Sequence, residues 1–184
     1  MLNPEELNIE TLGPCTIRSP LERLYEVGFV SDDCRILYER RCPPDGKVDC
    51  ALSFEEAGPR EKIFFDPSVT TAAVVTCGGL SPGLNNVIRS VFSELAYNYL
   101  VPRILGVRNG YMGLNPESGM KLVELNPTYL ENIHYLGGTV LGSSRGHQEP
   151  SVIVDTLERE QIDILFCVGG DGTQRGASVI QNEV

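Results

Sequence analysis

The segment Asp163-Ile164-Leu165-Phe166-Cys167-Val168-Gly169-Gly170-Asp171-Gly172-Thr173 carries residue types suited to phosphate chemistry. An apolar run rich in β-branched and aromatic residues halts at paired glycines and a carboxylate, and a helix-like segment follows. A strand buried on both faces reads this way, and the chain leaving it can aim backbone N–H groups at a phosphate. Gly169, Gly170 and Gly172 let the main chain approach a ligand closely. Asp171 can hold a hydrated magnesium ion, and the Thr173 hydroxyl can donate to a phosphate oxygen. A helix dipole favours a carboxylate at this position even without a ligand. The flanking glycines weaken a purely structural helix start, so they call for a second reason.

Two further loops have related chemistry. Gly78-Gly79-Leu80-Ser81-Pro82-Gly83 lies between an expected strand and an expected helix. A tight turn with no ligand would also explain it. It is not a Walker A loop, because no Gly-Lys-Ser/Thr follows, and it does not fit G-x-G-x-x-G. Gly142-Ser143-Ser144-Arg145-Gly146 offers Arg145, whose planar guanidinium suits phosphate or a stacked ring, against the plainer alternative of a solvated loop arginine. His147 reads as a surface residue and His134 as a structural one on an amphipathic helix.

The elements that would position these loops are legible from residue 71 onward. Residues 72–76 read as a buried strand. A helix follows, with Leu84, Val87, Ile88, Val91, Phe92 and Leu95 on one face at three- and four-residue steps. Residues 103–107 form the next strand, running into Asn109-Gly110-Tyr111-Met112-Gly113. Asn126-Pro127 starts a helix through Tyr129, Leu130, Ile133 and Leu136 that stops at Gly137-Gly138. Pro150 opens another helix before the strand at 164–168, and the segment from Gln174 is helical. This alternation predicts an α/β fold, a parallel sheet with helices on both faces, over residues 71–184. Ligands bind such sheets at the carboxyl ends of strands, where the glycine loops at 78–83, 110–113 and 169–172 all fall. Residues 1–70 read as an N-terminal extension. It has a short helix at 21–27, strands at 34–38 and 63–65, and a turn at Pro43-Pro44-Asp45-Gly46 that makes a hairpin.

The 184 residues suit one domain with an appendage, and 41% hydrophobic residues suffice for a core. A formal charge of −10 argues against nucleic acid or an anionic membrane as partner. No apolar run reaches the length of a membrane span and the first residues lack secretory-signal character, so the expected location is the cytoplasm. An anion site in so acidic a chain must be locally positive, which draws attention to Arg89, Arg145 and Arg175. Cys15, Cys34, Cys42, Cys50, Cys77 and Cys167 include no C-x-x-C pair, and they read as buried small hydrophobes or surface thiols rather than a zinc site.

Taken in order, these stretches resemble the phosphofructokinase family. Thr76-Cys77-Gly78-Gly79-Leu80-Ser81-Pro82-Gly83-Leu84-Asn85-Asn86-Val87-Ile88-Arg89 resembles its first nucleotide loop. Gly110-Tyr111-Met112-Gly113, Gly137-Gly138-Thr139-Val140-Leu141-Gly142-Ser143-Ser144-Arg145-Gly146 and Gly169-Gly170-Asp171-Gly172-Thr173 match its next motifs in order and spacing. Ala57-Gly58-Pro59-Arg60-Glu61-Lys62-Ile63-Phe64-Phe65 is similar to the lead-in of the long plant- and trypanosome-like branch. The resemblance implies the Rossmann-like ATP-binding half of a 6-phosphofructokinase. In it Gly79, Tyr111, Arg145, Gly146, Gly170, Asp171, Gly172 and Thr173 contact ATP, and Asp171 serves Mg2+. It also implies that glycine at 172 leaves room for the α-phosphate of ATP, where pyrophosphate-using relatives place an aspartate. Arg89 aligns with an effector-binding arginine of short bacterial members, but the second arginine of that site is Ser93 here, so the effector site is not carried over.

The family's catalytic aspartate lies in a Thr-Ile-Asp-Asn-Asp motif on the strand after the one ending at Gly169. Neither that motif nor the sugar-phosphate-gripping residues occur among these 184. No catalytic residue is therefore assigned. The expectation is the ATP- and magnesium-binding part of an enzyme that phosphorylates fructose 6-phosphate to fructose 1,6-bisphosphate in glycolysis, homo-oligomeric when full-length and inactive as this stretch alone. Two alternatives are a non-catalytic nucleotide-binding or subunit-association fragment and a relative of NAD kinase or diacylglycerol kinase. The latter families share Gly-Gly-Asp-Gly-Thr, but the motif running from Gly78 to Arg89 and the Arg145 loop are not expected there.

Overall fold

A computed structural model describes residues 3–184 except 25, 27, 40, 42, 43, 45, 48 and 49, and it divides into two compact units, Met1–Asp66 and Pro67–Val184. The first unit carries four short strands: β1 (Ile17–Arg18), β2 (Arg35–Leu37), β3 (Ser53–Glu55) and β4 (Lys62–Ile63). The strands expected near 34–38 and 63–65 are both present, but they do not pair with each other. β2 pairs antiparallel with β3, and β4 pairs antiparallel with β1. Ser53-Phe54-Glu55 has no apolar run to announce a strand, and its Phe54 ring instead meets Tyr38 with centroids 6.0 Å apart. Arg60 binds this region together, donating to Ser31 O at 2.9 Å and to the Glu55 carboxylate at 3.0 Å. The expected helix at 21–27 begins as a 3-10 turn, Pro20–Arg23, capped by Ser19 accepting from Leu21 N at 3.3 Å. Residues 25 and 27 lie outside the described residues, as do 43 and 45 of the expected turn.

The second unit is built on β5 (Thr71–Thr76), all six of whose residues are buried. Helix α1 (Leu84–Ser93) follows and continues through a wider π-type turn, Glu94–Tyr99. Then come β6 (Arg103–Val107), a 3-10 turn Gly110–Leu114, β7 (Val123–Glu124), the short helix α2 (Pro127–Leu130), α3 (Pro150–Arg159), β8 (Ile164–Val168) and α4 (Asp171–Glu183). The sheet order is β7-β6-β5-β8. β5 pairs parallel with both β6 and β8, while the two-residue β7 is an antiparallel edge on β6. β7 breaks the all-parallel expectation, and a segment this short shows no periodicity. The start of the β5–β8 pair is locked by Asp163, whose N–H donates to Thr71 O at 2.9 Å and whose carboxylate accepts from Thr71 N at 2.8 Å.

Side chains alternate along β5 and feed two cores. Ala72 and Val74 join Ile88, Phe92, Leu130, Ile133 and Leu141 on one face. Ala73, Val75 and Cys77 join Leu105, Val107, Leu114, Ile153 and Ile180 on the other. Helices therefore cover both faces, α1 and α2 on one and α3 and α4 on the other. The expected long helix after Asn126 is cut to α2 plus a separate 3-10 turn, Ile133–Tyr135. Asn126 does cap it, accepting from Tyr129 N at 2.9 Å. Both Leu130 and Ile133 still reach the core, so burial constrains them without requiring an unbroken helix. On α1, Leu84, Ile88 and Phe92 are buried as expected, as is Leu95 in the π-type turn, but Val87 is 40% exposed because the buried stripe of α1 follows the i, i+4 row.

This division of α1 predicts a contrast. Ile88→Ala, at a fully buried site, should cost about 3 kcal/mol of unfolding free energy by urea denaturation. Val87→Ala should stay within about 0.5 kcal/mol of the parent.

Candidate functional site

Parallel pairing brings the strand ends to one level: Thr76 stands beside Val168, and Val75 beside Val107. The chain leaves all three strands on the same edge, and the loop at 139–146 folds over it. Cys77 N donates to Val168 O at 2.9 Å, joining the loop after β5 to the end of β8. Gly78 N donates to Ser144 O at 3.4 Å and Ser143 Oγ donates to Gly78 O at 2.7 Å, which fastens the Arg145 loop to the first glycine loop. Tyr111 OH donates to Thr173 O at 2.8 Å, tying the 110–114 turn to the first turn of α4.

These ties enclose an open cleft of about 400 Å³. Its lining includes Gly79, Tyr111, Arg145, Gly146, Gly170, Asp171, Gly172 and Thr173, the eight residues expected to contact ATP, with Cys77, Gly78 and Ser144 beside them. Of the glycines that line the cleft, those at 79, 146, 170 and 172 have nothing within 4 Å of where a Cβ would stand. Gly169 is different: a Cβ there would lie 2.7 Å from Cys77 O, so glycine is required for close approach of the two loops. Gly170 precedes α4 in extended backbone and provides no side-chain cap. Thr173 N donates to Gly170 O at 2.9 Å, and no side chain caps the Asp171 and Gly172 N–H groups before it, at the positive end of a 13-residue helix. Asp171 is exposed on that turn, whereas Thr173 is buried, with its hydroxyl beneath Gly78 and Gly169. Thr173 thus lines the floor of the cleft.

Of the three arginines marked from sequence, Arg145 lines the cleft. Arg175 stands one turn along α4, its Nε donating to Asp171 O at 3.4 Å, and lines an adjoining pocket. Arg89 borders neither. The adjoining pocket, about 290 Å³, has an apolar wall of Pro150, Ile153, Val179 and Ile180 and shares Tyr111, Gly146 and Gly172 with the cleft. Sequence reading missed this wall. Its signal was the spacing of Gly172, Gly176 and Val179 along one helix face, open because Gly176 carries no side chain where Tyr111 packs: a Cβ there would lie 2.7 Å from Tyr111 Cε2. His147 also borders this pocket, exposed and 3.8 Å from the Glu149 carboxylate. His134 stacks on Tyr135 with ring centroids 4.0 Å apart, away from both cavities.

Behind the cleft sits a cluster of weak acids. Burial pushes the Cys77 thiol up to about 11, partly offset by a hydrogen bond from the Tyr111 backbone and reinforced by Cys167. Burial likewise raises the Cys167 thiol and, with its neighbour Cys167, the Tyr111 phenol. All three are neutral at pH 7, so Tyr111 acts here as a donor to Thr173 and as apolar packing. Asp171 is the one exposed carboxylate that lines the cleft among the described residues. Mg2+ keeps most of its shell as water and phosphate oxygen, so a single protein carboxylate beside open space at Gly170 and Gly172 suits it.

A family profile described as Phosphofructokinase matches residues 71–184. This chain belongs to the phosphofructokinase family. An ATP-dependent 6-phosphofructokinase of Borreliella burgdorferi is 45% identical over 97% of this chain and 41% of its own length. One from Trypanosoma brucei brucei is 53% identical over 72% of this chain and 27% of its own. The chain thus spans well under half the length of these curated relatives. The crystal structure of a pyrophosphate-dependent phosphofructokinase from Marinobacter aquaeolei aligns with a TM-score of 0.55 over 62% of this chain and 30% of that one. At 18% identity that likeness shows the fold alone. No helix among the described residues is long and apolar enough to cross a membrane.

The buried thiols and phenol make stability pH-dependent. An unfolded thiol titrates near 9.0 and the folded Cys77 near 11. Above pH 9 the folded phosphofructokinase unit therefore holds more protons than the unfolded chain, and its stability falls as pH rises from about 9 through about 11. Urea midpoints measured across that range should show the decline, and Cys77→Ala should flatten part of it.

Proposed function

We propose that this chain binds MgATP and supplies the phosphoryl-donor half of an ATP-dependent 6-phosphofructokinase, which transfers the γ-phosphoryl group to the 1-hydroxyl of fructose 6-phosphate. The observation that carries the reading is the convergence of four loops from separate parts of the sequence on one cleft, joined to an apolar pocket. The polyphosphate belongs in the glycine-lined cleft, against the α4 N-terminus and Arg145. The nucleoside belongs against the apolar wall of α3 and α4. Asp171 is the residue that would hold Mg2+, which neutralises charge on the transferring phosphoryl group when bound. The chain's own share of catalysis is positioning and electrostatic complementarity.

The fold is shared with a pyrophosphate-using relative, so the donor is read from the residue at 172 and not from the fold. Gly172 leaves open space, where a carboxylate would fill the volume and repel a phosphate. No base for the sugar hydroxyl is assigned among these residues. Sugar binding, the base and the homo-oligomer belong to the full-length enzyme, for which the cytoplasm is the expected compartment.

Calorimetric titration of the 184-residue chain with MgATP should give saturable binding, with little or no fructose 1,6-bisphosphate formed in a coupled assay. Gly172→Asp should weaken MgATP by at least about tenfold, and Asp171→Asn should remove most of the magnesium dependence of ATP binding. Wild-type chain that ignores MgATP would end this reading. Robust turnover would show that a base is present among these residues after all.

A further inference from the structure

We infer that Thr76 is a positioning residue for the nucleotide cleft, acting through the loop that carries Arg145. The inference rests on the MgATP reading above. Thr76 ends β5 and is fully buried, at the end of a run of apolar residues. A buried hydroxyl is costly unless its hydrogen bonds are made. Its Oγ1 lies 2.8 Å from Gly142 O and 2.9 Å from Thr139 Oγ1. Leu141 N in turn donates to Thr139 Oγ1 at 3.2 Å.

The direction of this chain follows from what each atom can do. A carbonyl only accepts, so Thr76 gives its proton to Gly142 O. Thr139 must then donate to Thr76 while it accepts from Leu141 N–H. One end of the relay is β5, the most buried strand of the unit. The other is the backbone immediately before Arg145. Gly142 is held at φ +75°, with Asn109 packed where a side chain would stand, so the loop has little freedom to restore the bond in another way.

Arg145 is the one cation lining the cleft among the described residues, and it is exposed. No hydrogen bond or ion pair holds its guanidinium within the described residues, so the loop backbone, fastened through Ser143 and Gly142, sets where the charge lies. Thr76 therefore tunes phosphate binding without touching the ligand.

The test is a double-mutant cycle read by calorimetry with MgATP on the 184-residue chain. Thr76→Val, which keeps shape and removes the hydroxyl, should bind MgATP about tenfold more weakly. Thr76→Ser should restore affinity to near wild type. In an Arg145→Ala background, Thr76→Val should cause no further loss, because the relay acts only through that charge. A Thr76→Val chain that binds like wild type, or that loses as much in the Arg145→Ala background, overturns the inference. If circular dichroism shows that Thr76→Val does not fold, Thr139→Val, which removes the donor to Thr76 and the acceptor of Leu141 N but leaves the Thr76–Gly142 bond, goes through the same cycle, and a smaller loss that vanishes in the Arg145→Ala background is expected. Wild type that fails to bind MgATP overturns the cleft reading and this inference together, whereas wild-type binding with an unmoved variant overturns this inference alone.

Discussion

β5 is paired on both edges and covered on both faces, and the rest of the second unit depends on that enclosure. A strand so placed has one acceptable register, since a slip by one residue would exchange the side chains of its two cores. Ala72 and Val74 commit one face to α1 and α2, and Ala73 and Val75 commit the other to α3 and α4. Parallel neighbours on either side must then end where β5 ends. The level of the cleft is a consequence of this pairing before any loop residue is considered.

Onto that level edge the loops are fastened by a small set of directional bonds rather than by apolar packing. Cys77 N to Val168 O, Ser143 Oγ to Gly78 O and Tyr111 OH to Thr173 O each join two loops from different parts of the sequence. Glycines serve two distinct purposes among them. Gly169 is excluded from carrying a side chain by the loop beside it, while Gly170 and Gly172 face space that the protein leaves unfilled. The first kind builds the cleft and the second kind keeps it open. Even in an acidic chain the potential at the cleft is locally positive, because it comes from a helix N-terminus and one arginine.

Much of this was legible in the amino-acid order. β5, β6, β8, α1, α3 and α4 each announce themselves through an apolar run or a helical stripe between glycine or proline signals, and the cleft residues stand at the breaks between them. Less was legible where the pattern is short or polar. β3 and β7 have two or three residues each, too few to show a period. The 126–136 segment has helix-like spacing, but its buried positions are satisfied by two separate turns.

By itself, the sequence determined the alternation of strands and helices, the family, and the residues that front the cleft, because each of these is written in local composition and spacing. Only the tertiary structure decided which side chains meet. Val87 faces the solvent side of α1 and not its core, Thr173 lies in the floor of the cleft, and the apolar wall contributed by α3 and α4 joins the cleft. Those outcomes depend on how three helices and four loops pack around one strand. That packing is a long-range property, set by burial and hydrogen-bond satisfaction among residues up to a hundred positions apart.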